Sequence, residues 1–143
     1  MSPSCWLDCD IIHEVYVCLR NINPDLEGLQ RPTLGPVRNF NQVNGEFIQI
    51  LYTPGNAHWV CVGSVGCEDG TVNLYDSRYH NIIVNEVQKQ VLILNGRSNF
   101  TGIQVFPVQK QPNGSDRGVF AVAFATYLAY GIHPETVQLM SPK

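Results

Sequence analysis

The spacing of apolar residues predicts that the chain begins with a helix and continues into a long irregular segment. Over residues 7–20 the apolar positions recur at helical spacing, and the predicted apolar face comprises Ile11, Val15, Cys18 and Leu19. Residues 21–45 then contain three prolines and three glycines. So long a stretch without regular structure is uncommon in a compact domain, and we expect it to cover a site or to contain short helices.

Three strands are predicted in the middle of the chain. They are EFIQILYT at 46–53, HWVCVGSV at 58–65 and TVNLYDS at 71–77. The CEDG sequence at 67–70 separates the last two strands, and it predicts that they form a hairpin.

The last third of the chain predicts a helix, a short strand and a second helix. The helix over 83–94 would bury one face, formed by Val84, Val87, Val91 and Leu94. Residues 101–109 are a strand candidate. Residues 118–131 are apolar on nearly all sides, so we expect a buried helix that ends at Gly131.

Length and composition indicate one ordinary globular domain over residues 1–143. The chain has 44% hydrophobic and 15% charged residues, and it contains no internal repeat or linker. The net charge is -3 and no Lys/Arg cluster is present, which argues against a nucleic acid or an anionic membrane as the main partner. The longest apolar run is too short for a membrane span.

The cysteines favour a reducing compartment. There are five, an odd number without the spacing of a disulfide framework, and no N-terminal signal peptide is evident. Two glycosylation sequons, at Asn99 and Asn113, would favour secretion, but patterns this short often arise by chance. We therefore expect an intracellular protein of the cytoplasm or nucleus.

Four positions have the chain order and context of a thiol-protease site. Such a site needs a nucleophile, a base, a group that orients the base, and donors for an oxyanion. His58 begins one predicted strand and Asp76 ends its neighbour, so their side chains could meet. Gln111 precedes the last helix by a short turn and could donate its amide, whereas position 117, at the start of that helix, is occupied by Arg117.

These residues resemble a known family, the ubiquitin-like-protein proteases, which is the SUMO-protease and adenain-like group. Similar motifs are HW at 58–59, YDS at 75–77 and QPNGSDRG at 111–118. The last matches the family pattern Q-x-N-G-S-D-C-G at every fixed position except the cysteine. WLDCDII at 6–12 is similar to the family's W-L-N-D-x-x-I. The resemblance thus spans nearly the whole chain.

The resemblance implies a fold and a set of roles. The fold would be the α+β papain-like cysteine-protease fold, with a mixed or antiparallel central sheet flanked by helices and the chain order His-Asp-Gln-Cys. His58 corresponds to the general base, Asp76 to its orienting partner, Gln111 to the oxyanion donor and Arg117 to the nucleophile position.

The resemblance also implies a substrate. Trp6 and Trp59 correspond to two indoles that wall a narrow tunnel, which suits a Gly-Gly tail because residues without Cβ atoms fit between two rings. The substrate would be the C-terminal tail of ubiquitin or a relative such as SUMO, joined to a lysine amine. No cofactor or metal is implied.

Arg117 predicts that this chain does not cleave peptide or isopeptide bonds. A guanidinium stays protonated in proteins and cannot act as the nucleophile. Because the other motif residues are intact, the arginine is interpreted as a recent or deliberate replacement, as in a trapping mutant. Two alternatives stay open: a natural pseudoprotease that binds a modifier, with Arg117 clasping its terminal carboxylate, and an adenain-like peptidase that processes polyproteins.

Each residue also has a simpler interpretation when taken alone. A histidine before a tryptophan on a strand is more often a packing residue than a catalytic one, and Asp76 could cap a turn. Cys5, Cys9 and His13 recur every four residues and could meet a metal, but no second ligand pair has a matching spacing. Only the joint order of the motifs favours the protease interpretation.

Overall fold

The computed structural model describes residues 9–54, 58–67, 70–76, 83–96, 102–106 and 117–131, with the backbone alone for 9–11 and 117–120. Its helices are α1 (Cys9–Ile22), α2 (Asn85–Asn95) and α3 (Arg117–Ala129). Its strands are β1 (Glu27–Gly28), β2 (Phe47–Thr53), β3 (His58–Gly63), β4 (Thr71–Tyr75) and β5 (Gly102–Val105). The predicted order of elements is confirmed, and the described ends agree within two residues, except that β5 ends earlier than 109.

The strands form one mixed sheet in the order β1-β2-β3-β4-β5. The three central strands are antiparallel neighbours, whereas β1 pairs with β2 and β5 with β4 in parallel. The predicted hairpin pairing of β3 and β4 is confirmed, with Cys61 opposite Tyr75. The described residues contain three helices in addition to the sheet, so the domain is α+β, as predicted.

Helices α1 and α3 cover one face of the sheet. Their shared core includes Tyr16 and Leu19 of α1, and Phe124 and Leu128 of α3. Helix α3 was predicted to be buried, and its side chains from Ala121 onward are buried or half-buried. It contacts α1 on one side and the strands on another. No helix in the described ranges is long and apolar enough to cross a membrane.

Of the apolar face predicted for α1, Leu19 is confirmed as buried and Cys18 is wrong, while the side chain of Ile11 lies outside the described residues. The buried residues are Ile12, Tyr16 and Leu19, whereas Cys18 is exposed and Val15 is half-buried. Tyr16 can be buried because its hydroxyl donates to the carbonyl of Gln30 at 2.8 Å. That partner belongs to a distant segment, so helical spacing alone does not reveal it.

Helix α2 covers the opposite face of the sheet. Val87, Val91 and Leu94 are buried as predicted, and they pack with Phe40 and Val43 of the irregular segment. Val84 is 40% exposed, contrary to the prediction, because it precedes the helix as its N-cap residue and does not share its face.

The segment 21–45 contains the short strand β1 and a 3-10 helix at Pro32–Leu34, as expected of a long irregular stretch. Gly28 has a φ of 81°, and a Cβ there would clash with the carbonyl oxygen of Ile48 on the paired strand. Only glycine therefore allows this close parallel pairing. The segment is fastened to the sheet at this point and lies beside α1.

Candidate active site

The antiparallel register brings His58 and Asp76 together at one end of the sheet. Cys61 pairs with Tyr75, so a continuation of the ladder sets Val60 opposite Asp76 and His58 one diagonal step away. Diagonal neighbours share a face of the sheet and lie within reach of longer side chains. The hairpin therefore juxtaposes two residues that are far apart in sequence.

His58 and Asp76 form a short, buried hydrogen bond. The distance from Nε2 of His58 to Oδ1 of Asp76 is 2.6 Å, and the side chains are only 8% and 13% exposed. The other ring nitrogen, Nδ1, is also buried, and within the described part of the chain it has no hydrogen-bond partner. Such an orphaned polar atom costs about 1–3 kcal/mol of stability.

The hydrogen bond determines where the proton of a neutral imidazole resides. A carboxylate only accepts hydrogen bonds, so Nε2 must donate to Asp76, and Nδ1 of the neutral ring then carries a free lone pair. A buried imidazole with one nitrogen fixed by a carboxylate and the other available is arranged as a general base.

Backbone contacts hold His58 at the start of its strand. Its position pairs with Thr53 on β2, and the Thr53 hydroxyl donates to the His58 carbonyl at 3.1 Å. Thr53 is 3% exposed. No sequence motif singles out this threonine, although its position opposite His58 across the connection between β2 and β3 could have suggested it.

Trp59 is half-buried and packs against a second aromatic ring. Tyr52 lies directly opposite it on β2, and the ring centroids are 4.7 Å apart at an interplanar angle of 48°. This distance is typical of favourable aromatic pairs. The structure thus gives Trp59 a fixed neighbour that the sequence motifs did not indicate. Trp6, the predicted second indole, lies outside the described residues.

Helix α3 begins at Arg117, close to the position predicted from the sequence. The ring of Phe124 lies 6.3 Å from that of Tyr75, the residue before Asp76, so the second turn of α3 is beside the end of β4. The backbone of Arg117 is described, but its side chain and the whole of Gln111 are not. The roles of Arg117 and Gln111 therefore stay predictions.

The described cysteines do not supply a nucleophile at this site. Cys61 is fully buried and packs in the core that α1 and α3 share. Burial raises the pKa of the Cys61 thiol and that of the half-buried Cys67, which is the opposite of what nucleophilic cysteines need. Cys18 is exposed on α1.

The metal hypothesis for Cys5, Cys9 and His13 falls on positions whose side chains are only partly described. Cys5 lies outside the described residues, and Cys9 is described by its backbone alone. Among the side chains that are described, no group of three or more potential metal ligands occurs.

Solved structures with a similar fold are SUMO proteases. The SUMO protease Ulp1 with its catalytic cysteine oxidised to a sulfenic acid aligns with a TM-score of 0.65 and 16% identity, covering 91% of this chain and 69% of that one. The Ulp1 protease domain in complex with Smt3, the yeast ortholog of SUMO, gives 0.59 and 15%, covering 90% and 68%.

A third similar structure comes from Chaetomium thermophilum. Its Ulp1-like SUMO protease catalytic domain gives a TM-score of 0.59 and 17% identity, and the alignment covers 95% of this chain and 66% of that one. No protein-family model matches the sequence, and no curated protein matches it significantly. The alignments with the three solved structures show that the chain has a Ulp1-like protease fold.

Proposed function

We propose that the domain is a cysteine-type peptidase or isopeptidase that acts on the Gly-Gly tail of ubiquitin or a ubiquitin-like modifier, and that it is inactive with Arg117 at the nucleophile position. The observation that carries the proposal is the buried His58–Asp76 pair, in which Nδ1 of His58 has no hydrogen-bond partner among the described residues. A purely structural pair gains nothing from an orphaned nitrogen, whereas a general base requires one.

The fold supports the same conclusion. The similar solved structures are proteases described as having a catalytic cysteine, and one is bound to the yeast ortholog of SUMO. In this chain, the motifs that resemble the family predict the helix start at position 117 as the place of that cysteine, and α3 does begin there. The first candidates for a partner are therefore SUMO-type modifiers, followed by ubiquitin.

With a cysteine at position 117, the reaction would proceed through an acyl-enzyme. Nδ1 of His58 would take the thiol proton, and the thiolate would attack the carbonyl carbon of the second glycine. The resulting oxyanion would accept hydrogen bonds from Gln111 and from an amide at the start of α3. The imidazolium would then protonate the departing lysine amine, and water would hydrolyse the thioester.

Arg117 interrupts this sequence at its first step. No thiol proton is available for His58, and the guanidinium neither gives up its proton nor attacks a carbonyl. Trp59, fixed by Tyr52, would still wall one side of a tunnel for the tail. The chain would then keep part of its binding surface without turnover.

The direct test restores the thiol with Arg117→Cys. Ubiquitin, SUMO and NEDD-type modifiers with thiol-reactive groups at their C termini are mixed separately with the variant and with the unaltered chain. We expect a covalent adduct with one modifier for the variant alone, detected as a mass increase on intact-protein mass spectrometry. The same panel names the modifier.

Two controls make the result interpretable. Arg117→Ser provides a hydroxyl at the same position and should form no adduct, which excludes labelling of the other cysteines. Thermal melting verifies that each variant is folded. A folded Arg117→Cys variant that labels no modifier would contradict the isopeptidase proposal and would favour the pseudoprotease or the adenain-like alternative.

A further inference from the structure

A cleft of about 550 Å³ lies between α1 and the segment that follows β1, apart from the His58–Asp76 pair. Its size is within the range of ligand-binding pockets in proteins. Its apolar lining is formed by Ile12, Leu29, Pro32 and Leu34, and its polar lining by His13, Tyr16, Arg20, Gln30, Arg31 and Asn41. No described lining residue carries a carboxylate.

The cleft concentrates positive charge in a protein whose net charge is -3. Arg20 and Arg31 come from separate elements, and the fold brings both of them to the cleft. Within the described residues, the guanidinium of Arg31 is exposed and has no hydrogen-bond or ion-pair partner. Cationic groups held beside a concave apolar surface are complementary to a ligand that is both acidic and apolar.

The second arginine is held in place before any ligand binds. One terminal nitrogen of Arg20 donates to the carbonyl of Leu29 at 3.0 Å, and its guanidinium lies 5.8 Å from the centre of the Tyr16 ring. A guanidinium has five N–H donors, so this contact leaves others for a ligand. Ordering Arg20 in advance lowers the entropy cost of binding.

Two glutamine side chains make the wall of the cleft rigid. Each one forms, with the backbone of another residue, the pair of hydrogen bonds that a neighbouring strand could form. The Gln49 amide accepts from the Gln30 backbone N–H at 2.8 Å and donates to the Gln30 carbonyl at 2.7 Å. The Gln30 amide makes the equivalent pair of bonds with the backbone of Asn41, at 2.8 and 2.9 Å. Gln49 is fully buried.

Backbone strain at the same place points to a constrained site. Leu29 is buried, yet its φ is 54°, in the left-handed region that bulky residues avoid. This conformation accompanies the orientation of the Leu29 carbonyl toward Arg20. Strained residues of this kind persist where the surrounding structure holds them, and they concentrate at ligand-binding positions.

We propose that this cleft binds a short acidic peptide segment in which an apolar side chain stands next to Asp or Glu. The apolar side chain would lie on Ile12, Leu29 and Pro32, and the carboxylate would pair with Arg31 and the free donors of Arg20. A peptide fits better than a nucleic acid because the described lining has an aliphatic floor and offers no stack of exposed aromatic rings for bases. The proposal does not depend on the residue at position 117.

The test uses the unaltered chain and a blocked peptide of alternating Leu and Asp/Glu residues. Its isosteric counterpart carries Asn and Gln in place of the acids, and binding of each is followed by fluorescence anisotropy and by backbone amide shifts. We expect saturable binding of the acidic peptide alone, weakening as salt is added, with shifts centred on residues 29–34 and 41. Equal binding of the neutral peptide, or no binding up to millimolar concentration, would overturn the proposal.

Two variants of equal charge change locate the site. Arg31→Glu should weaken binding of the acidic peptide by about tenfold or more, as expected for the loss of a charge-assisted contact. Lys89 is an exposed residue of α2. Lys89→Glu should change the affinity for the acidic peptide by less than about twofold once salt has screened long-range charge. Equal effects of the two variants, or tighter binding of a single-stranded oligonucleotide than of the peptide, would contradict an acidic-peptide site.

Discussion

Two pairs of oppositely chargeable side chains in the described part of the chain differ in how completely their polar atoms are used. His58 and Asp76 are nearly buried and share one contact of 2.6 Å, and Nδ1 of His58 has no hydrogen-bond partner among the described residues. Arg38 and Glu86 are about one-third exposed and form two parallel contacts of 2.5 and 2.8 Å. The second pair is the more favourable one for stability.

The surroundings of the exposed pair explain its role. Glu86 also accepts from Nε2 of Gln90 at 2.7 Å, and Arg38 also donates to the carbonyl of Gly35 at 3.1 Å. Gln90 in turn donates to the carbonyl of Tyr52 at 3.0 Å. These bonds fasten the irregular segment to α2 and α2 to β2.

The two pairs differ in role: the geometry of one favours stability, and the geometry of the other favours chemistry. The Arg38–Glu86 pair uses both terminal nitrogens of the guanidinium and both carboxylate oxygens, and it joins the irregular segment to α2. Within the described residues, the His58–Asp76 pair leaves the buried Nδ1 of His58 without a hydrogen-bond partner, at a cost in stability. Disrupting each pair should therefore affect different measured quantities.

The largest effect is expected from Asp76→Asn in the Arg117→Cys background. An amide can donate to Nε2, which favours the tautomer with the proton on Nδ1 and removes the base. We expect the rate of modifier cleavage to fall by about 10⁴-fold, the size of effect that the same change has in a serine-protease triad. Cleavage of a fluorogenic modifier substrate measures the rate, and thermal melting monitors the fold. A loss smaller than about tenfold would contradict the role of Asp76.

The next effect is on stability and comes from Gln90→Leu. The leucine is similar in size, but the Tyr52 carbonyl loses the bond from Gln90 and Glu86 loses one of its bonds. We expect the free energy of unfolding to fall by about 1–3 kcal/mol, measured by urea denaturation. Gln88→Leu, an exposed glutamine on the same helix, is the matched control. Equal stability of both variants would show that the Gln90 bonds contribute nothing.

A smaller loss is expected for Arg38→Gln. Surface ion pairs contribute about 0.2–1 kcal/mol, and the bidentate geometry favours the upper end of that range. The destabilisation should shrink when salt is added, whereas adduct formation by the Arg117→Cys variant should be unchanged. If Arg38→Gln instead lowered adduct formation by more than its loss of stability explains, the assignment of the Arg38–Glu86 pair to stability alone would be wrong.

The smallest effect is a pH dependence. Hydrogen bonding to Arg38 lowers the pKa of Glu86 from 4.5 to about 2. Because the folded-state pKa is depressed, the stabilisation is fully present above about pH 4.5 and is lost as the pH falls toward 2. Arg38→Gln should therefore destabilise the protein at pH 6 more than at pH 2.5. If Arg38→Gln destabilised the protein equally at both pH values, the contact with Arg38 would not be what lowers the pKa of Glu86.

The sequence predicted the elements and the meeting of His58 with Asp76 because both follow from local patterns. Strand composition and the turn at 67–70 indicate the β3–β4 hairpin, and the register of a hairpin then determines which residues are neighbours. The helix beginning near position 117 followed in the same way from its apolar run.

The buried glutamines could not be predicted in this way. Gln49 and Gln90 have no exposed surface, contrary to what a polar residue on a strand or helix suggests. Their burial depends on main-chain partners at Gln30 and Tyr52, which only the tertiary fold brings near. The cleft of Arg20 and Arg31 escaped prediction for the same reason, since the two arginines form no cluster in the sequence.

The state of His58 can be measured in the unaltered chain. Long-range ¹H–¹⁵N correlation NMR of labelled protein distinguishes a neutral imidazole protonated at Nε2 from one protonated at Nδ1. We predict that the His58 proton resides on Nε2 and that Nδ1 is unprotonated, with the preference lost in Asp76→Asn. A proton on Nδ1 in the unaltered chain would contradict the assignment of His58 as a base oriented by Asp76.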